Sequence, residues 1–318
     1  MSSILYIVVP CYNEEEVLPE TAKRLQQKTQ ELTSSGKIDG KSRIMFVDDG
    51  SCDSTWQIIT ELHNKNKMFS GIKLSRNRGH QNALLAGLMT AKDKADVIIS
   101  MDADLQDDIN AVDEMLEKYY GGCDIVYGVR SSRKKDTFFK KFTALLFYKI
   151  MNFLGAETVY NHADYRLMSK RAVEGLSQFK EKNLFLRGMV PLIGYKSDTV
   201  EYERSERFAG KSKYPLKKMV AFAFDGITSF SIKPIRFITA SGVLMFIVSI
   251  ALLIYSVIRW AIGASVLGWA SLICSIWAIG GLIMLSLGVI GEYIGKTYIE
   301  AKERPSYILE SVLDDENN

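Results

Sequence analysis

Two long stretches of this 318-residue chain carry no charge at all, Phe237–Ile258 and Ala261–Gly291. Each exceeds the roughly 20 residues a helix needs to cross a bilayer. Both faces of each run are apolar, whereas a helix lying on a soluble core buries one stripe and offers the other to water. A pair of buried core helices is the weaker reading, and the sequence predicts a transmembrane hairpin over residues 235–291. Arg207, Lys211, Lys213, Lys217, Lys218, Lys233 and Arg236 precede the first run, while the segment Ala261–Gly268 between the runs has no charge. The positive-inside rule then places residues 1–213, the tail 292–318 and both termini in the cytosol.

Composition excludes several classes. Apolar residues make up 47% of the chain, too many for a disordered protein, and a net charge of +3 gives no reason to expect nucleic acid as a partner. Cys11, Cys52, Cys123 and Cys274 form no CxxC pair, so neither a zinc site nor a disulfide framework is expected. The start Met1-Ser2-Ser3-Ile4 lacks the basic and apolar regions of a cleavable signal peptide. His63, His80 and His162 have no ligand spacing around them and read as local hydrogen-bonding residues. Phe138, Phe142, Leu145, Leu146, Ile150, Phe153 and Leu154 recur at helical spacing beside Lys134, Lys135, Lys140, Lys141 and Lys149, as in a helix lying on anionic lipid. Residues 214–234 repeat that pattern and are expected to form an interfacial helix leading into the hairpin.

The first 130 residues alternate short β-branched runs with longer amphipathic stretches, the pattern of an α/β domain with a parallel sheet. Strands are predicted at Leu5–Pro10, Arg43–Asp48, Gly71–Leu74, Asp96–Met101 and Asp124–Val129, with helices beginning near Glu14, Ser54, Gly79 and Ile109. Ligands of such sheets bind beyond the carboxyl ends of the strands, so the residues just after each strand carry the most weight. Asp102-Ala103-Asp104-Leu105-Gln106-Asp107 follows one strand directly and offers oxygens suited to Mg2+ or Mn2+. Such an ion can bridge two phosphates and offset the charge on a leaving diphosphate. Two acids at i and i+2 also occur in solvated turns. Here they converge with Val47-Asp48-Asp49-Gly50-Ser51 and Pro10-Cys11-Tyr12-Asn13-Glu14-Glu15 at two other strand ends. Asp48 or Asp49 can accept hydrogen bonds from a ribose or a base N–H, although Asp49, Ser51 and Asn13 are also good helix caps.

The ordered motifs PCYNEEE, VDDGS, LSRNRGHQNAL, DADLQD, VYGVR, ADYRLM and RFAGKSKY, ending in two apolar runs, resemble the polyprenyl-phosphate glycosyltransferases of family 2. This group includes bactoprenol glucosyltransferases and, more distantly, dolichol-phosphate mannose synthases. The resemblance covers nearly the whole chain. It implies a GT-A, Rossmann-like catalytic domain over residues 1–213. It also implies nucleotide-sugar contacts from Pro10, Tyr12, Asn13, Glu15, Asp48, Asp49, Asp102 and Ala103, and a metal and diphosphate site at Asp102, Asp104 and Gln106. Asp164 and Arg166, with Asp104, take the catalytic roles. Arg130, Arg133, Arg207, Ser212 and Lys213 are expected to meet the lipid phosphate or the diphosphate. Where the family often shows an aromatic in RNFG, this chain has Arg78.

By the same resemblance the substrates are a UDP-linked hexose, glucose foremost, and undecaprenyl phosphate. The location is the bacterial plasma membrane, and the assembly a homo-oligomer, a tetramer in related enzymes. Gly242, Gly280, Gly281 and Gly288 permit close helix packing. GlcNAc, galactose, mannose or a modified aminosugar are the alternative donors. A processive polysaccharide synthase would add a QxxRW motif, which none of Trp56, Trp260, Trp269 and Trp277 completes. A catalytically silent membrane scaffold would be expected to have lost Asp102, Asp104, Gln106 or Asp164, and all four are present. Alone, Asp164 and Arg166 are simply two side chains on one face of a strand.

Overall fold

The computed structural model describes residues 2–131, 162–203, 233–262 and 269–314. Its strands are β1 (Leu5–Cys11), β2 (Arg43–Asp48), β3 (Phe69–Leu74), β4 (Val97–Ser100), β5 (Ile125–Arg130), β6 (His162–Ser169), β7 (Ser197–Tyr202) and β8 (Leu309–Leu313). The helices are α1 (Leu18–Ser34), α2 (Thr55–Lys65), α3 (His80–Ala91), α4 (Ala111–Tyr120), α5 (Lys170–Ser177), α6 (Leu186–Leu192), α7 (Lys233–Ala261) and α8 (Trp269–Ala301). All eight strands and α1–α6 belong to one compact unit, and α7 and α8 to a second.

The strands form one sheet in the order β7-β5-β6-β4-β1-β2-β3-β8. β1 is buried along its whole length, LYIVVPC, the near-continuous apolar run of a parallel strand covered on both faces. α1, with a proline in its first turn, buries Leu18, Ala22, Leu25, Thr29 and Leu32, one stripe at helical spacing. Leu18, Leu25 and Leu32 join Leu5, Ile7, Phe46 and Ile99 in the core.

The five strands predicted in the first 130 residues run parallel as expected, and the sheet is mixed because β6 and β8 join it from later in the chain. β6 runs antiparallel between β4 and β5, and β8 antiparallel along β3. Periodicity marks a strand but not its direction, which depends on the edge where the chain re-enters the sheet. His162 pairs with Val129 near the end of β5, so β6 starts where β5 stops. The first residues of β6 therefore share an edge with the carboxyl ends of β1, β2 and β4.

The tail expected over 292–318 divides into two elements. α8 continues past Gly291 to Ala301, and Leu309–Leu313 form β8, where the Ser75 amide donates to the Ile308 carbonyl at 3.0 Å. Lys73 and Glu310 pair across this junction at 3.1 Å, and Lys94 pairs with Asp314. In the second unit, α7 has 29 residues and α8 has 33. At about 1.5 Å per residue either exceeds a hydrocarbon core of roughly 30 Å. Among the described residues one stretch, Ile279–Ala301 within α8, is long and apolar enough to cross a membrane. Its large apolar side chains point outward, Met284 being 70% exposed. The amphipathic segment expected at 134–154 lies outside the described residues, as does that expected at 214–234 apart from Lys233 and Pro234, which open α7.

Candidate active site

Three loops meet at the carboxyl edge of the sheet and are stitched together by polar side chains. After β1 the chain turns through Asn13, whose φ of 52° is left-handed, a conformation that asparagine tolerates better than most residues. Asn13 Oδ1 accepts from the Cys52 amide at 2.9 Å, and Glu15 Oε2 accepts from the Ser54 amide at 2.9 Å. The Asn13 amide in turn donates to Ser51 Oγ at 3.0 Å. Asn13 and Glu15 thus lock the β1 loop to the β2 loop. Asp49 does the same for the next loop, its two oxygens accepting the Arg78 and Gly79 amides at 2.7 and 2.9 Å. Gly50 has φ 67°, and a Cβ there would lie 2.5 Å from the Arg76 carbonyl carbon, so only glycine lets these loops approach.

Asp48 is fully buried at the end of β2. Its Oδ1 accepts the Ser51 amide at 3.1 Å, while Oδ2 has no hydrogen-bond partner among the described residues. Burial raises its pKa, and the hydrogen bonds from Ser51 offset this only in part. A buried, unsatisfied acceptor at a ligand-binding edge calls for a donor from a ligand. Pro10 is buried within β1, and Tyr12 beyond it is exposed.

The loop after β4 holds the acidic cluster. The Thr21 hydroxyl of α1 donates to the Ala103 carbonyl at 2.8 Å, and Leu105 has φ 56°. Asp104 Oδ1 accepts the Gln106 amide at 3.2 Å. Asp102, Asp104 and Gln106 are half-buried. Burial raises the Asp102 pKa; His80 opposes this, and the charges of Asp164 and Asp104 reinforce it. Asp107 is buried deeper and accepts the Tyr202 hydroxyl at 2.5 Å. Burial, followed by the charge of Asp102, pushes its pKa up to about 6. Arg130 lies beside this Asp107–Tyr202 pair.

Asp164, near the start of β6, is buried and surrounded by donors. Its Oδ1 accepts from Arg166 Nη2 at 2.6 Å and Arg187 Nε at 3.2 Å, and its Oδ2 accepts from Arg187 Nη2 at 3.0 Å and Gln81 Nε2 at 3.5 Å. His80, the first residue of α3, sits between the two acidic groups, its Nε2 3.5 Å from Asp164 Oδ2 and 3.6 Å from Asp102 Oδ1. Burial pushes the Asp164 pKa up, but Arg187, His80 and Arg166 together hold it well below the usual carboxylate range. Burial lowers the His80 pKa, but Asp164 and Asp102 carry it above the ordinary histidine value.

The structure thus brings Asp48, Asp102, Asp104, Gln106, Asp164 and Arg166 to one edge of the sheet, and places Arg130 at the end of β5. Arg133, Arg207, Ser212 and Lys213 lie outside the described residues. Sequence reading missed Arg187, Gln81 and the bridging place of His80. One signal was available: Arg187 is the sole charge between Lys182 and Lys196, in the run NLFLRGMVPLIGY, and a lone charge in an apolar run needs a partner. Among the described residues, no three His, Cys, Asp or Glu side chains come together in an arrangement that could hold a metal unaided.

The profile of the family described as "Glycosyl transferase family 2" matches residues 6–176. The uncharacterized glycosyltransferase YkoT of Bacillus subtilis is 54% identical over 313 residues, covering 98% of this chain and 93% of that protein. A prophage bactoprenol glucosyl transferase homolog of Escherichia coli is 40% identical, covering 96% of this chain and 98% of its own length. The bactoprenol glucosyl transferase of Shigella phage SfV is 39% identical, with 96% and 97% covered.

Proposed function

The chain belongs to glycosyl transferase family 2, and from that premise we propose that it moves a hexose, glucose from UDP-glucose, onto undecaprenyl phosphate at the cytosolic face of a bacterial plasma membrane. Full-length similarity to proteins named bactoprenol glucosyl transferase supports the lipid acceptor and the sugar. α8, with its apolar stretch Ile279–Ala301, supports attachment to the membrane in which such a lipid resides.

The observation that carries the reading is the pair Asp102 and Asp104, half-buried just after β4, with His80 linking Asp102 to Asp164 and its arginines. A divalent cation fits this pair. Mg2+ is commonly held by one or two carboxylates plus substrate phosphates, so two aspartates suffice without a full protein cage. The mutual crowding of Asp102, Asp104 and Asp164 is what a bound cation would relieve. Asp102 and Asp104 would hold it with the Gln106 side-chain oxygen, and there it would supply positive charge to offset that developing on the leaving diphosphate. Asp48 Oδ2 would accept a base N–H of the nucleotide.

A phosphate monoester is largely ionised near neutrality, its second pKa being about 6, so the acceptor oxygen needs orientation more than a base. Asp164 suits that division of labour, since donors already occupy both its oxygens and its proton affinity is low. It positions the groups around it. Direct attack opposite the diphosphate inverts the anomeric carbon. The test is incubation of the purified chain with Mn2+ or Mg2+, undecaprenyl phosphate and a panel of radiolabelled nucleotide sugars. Label from UDP-glucose in the lipid fraction, with inverted configuration, is expected. Label only from another donor would replace glucose, retention would exclude direct displacement, and no lipid-linked label from any donor would sink the reading.

A further inference from the structure

Resting on that reading, we propose that Arg187 binds the phosphate of the lipid acceptor, and that Asp164 and Gln81 are the positioning residues that hold it in place.

Asp164 carries one negative charge against two guanidinium groups, and these differ in what they can reach. The Arg166 side chain is 2% exposed and donates to the Leu186 carbonyl at 3.2 Å as well as to Asp164. It neutralises the buried carboxylate and faces no solvent. The Arg187 side chain meets Asp164 through Nε and Nη2 and is 32% exposed, so unlike Arg166 it is open to solvent beside that carboxylate. Arginine suits a phosphate because its planar fork offers parallel N–H donors, and a guanidinium held by a carboxylate is already oriented.

α6, which carries Arg187, is fixed from a second side. Gln81 Oε1 accepts the Leu186 amide at 3.0 Å, and Gln81 Nε2 reaches Asp164. The start of α3 therefore holds both the helix that presents Arg187 and the carboxylate that aims it. Across the site, His80 spans from Asp164 to Asp102. The edge thus has two poles: an acidic one at Asp102 and Asp104, suited to a cation and the diphosphate it binds, and a cationic one at Arg187, suited to a second phosphate. A reaction between a nucleotide diphosphate and a lipid phosphate requires both poles side by side.

The test uses the full chain in detergent, titrated with farnesyl phosphate and, as a control, farnesol, in the presence of Mn2+ and UDP. Wild type is expected to prefer the phosphate at least about tenfold, the scale of one strong charge-assisted contact. Arg187→Gln is expected to bring the two affinities within about twofold while changing Mn2+-dependent UDP affinity by less than about twofold. Arg187→Lys keeps the charge and loses the fork, and is expected to retain part of the preference. If Arg187→Gln does not fold, Arg187→Lys decides: a reduced preference supports the assignment and an unchanged one overturns it. An equal loss of UDP binding, a preserved preference in Arg187→Gln, or no preference in wild type also overturns it. Failure of the wild type to transfer glucose would instead sink the donor assignment, leaving this readout intact.

Discussion

Asp102 at the end of β4 and Asp164 at the start of β6 lie on one edge of one sheet, where Ser100 pairs with Arg166, yet their surroundings are opposed. Both are desolvated, which disfavours the charged form of either. Asp164 has its counter-charges built in, two arginines and a histidine, and is held well below the usual carboxylate range. Asp102 has His80 close by and the charge of Arg187 farther off, but burial and the like charges of Asp164 and Asp104 outweigh them, so its pKa moves up. Desolvation pushes both upward; at Asp164 the neighbouring cations overcome it, and at Asp102 they do not. One carboxylate is complete within the fold; under the proposed function, the other takes a cation from outside.

The sharpest break of this contrast is removal of each acid in turn. Asp164→Ala leaves two arginines beside a lost partner, and breaking a buried ion pair costs about 3–5 kcal/mol, so a large drop in unfolding free energy is expected. A stable Asp164→Ala protein would mean that the cluster is not structural. pH provides a second contrast. Asp164 has a depressed pKa in the folded state, so its contribution is fully present above the unfolded value of about 3.9 and is lost as pH falls toward the folded value. Asp102 has a raised pKa, so its ionisation costs stability as pH rises through that raised value in the metal-free protein. Thermal midpoints on acidification should therefore fall less in a conservative Asp164→Asn variant than in wild type, and an identical fall would remove Asp164 as a cause. The smallest effect is expected from Asp102→Asn, whose stability should stay within about 1 kcal/mol of wild type or rise, because among the described residues it removes crowding and no ion pair with arginine or lysine. A loss as large as that of Asp164→Ala would erase the distinction.

Much of the first pole was legible because it is local. The acids follow β4 within a few residues, and continuous apolar runs such as LYIVVPC mark the strands that carry the loops. The second pole is not local. Arg187 lies 23 residues from Asp164 and Gln81 lies 83 residues from it, and only the antiparallel insertion of β6 brings them together. The same limit hid β8. Its five residues, LESVL, say nothing alone of a partner at β3 far back in the chain, and the pairing appears only once the sheet is assembled. Asn13, Glu15 and Asp49 were legible as polar residues at strand ends, but whether they serve ligand or loop depended on which amides the turns bring near.

The central claim is that the pole at Asp102 and Asp104 is built for a cation that arrives with the diphosphate. Equilibrium binding of Mn2+ to the purified chain, with and without UDP, tests it most directly. Wild type should take up one Mn2+ per chain far more tightly with UDP present, and the Asp102→Ala/Asp104→Ala double variant should lose that UDP-dependent uptake while remaining folded. A double variant that binds Mn2+ with UDP as tightly as wild type would contradict the account.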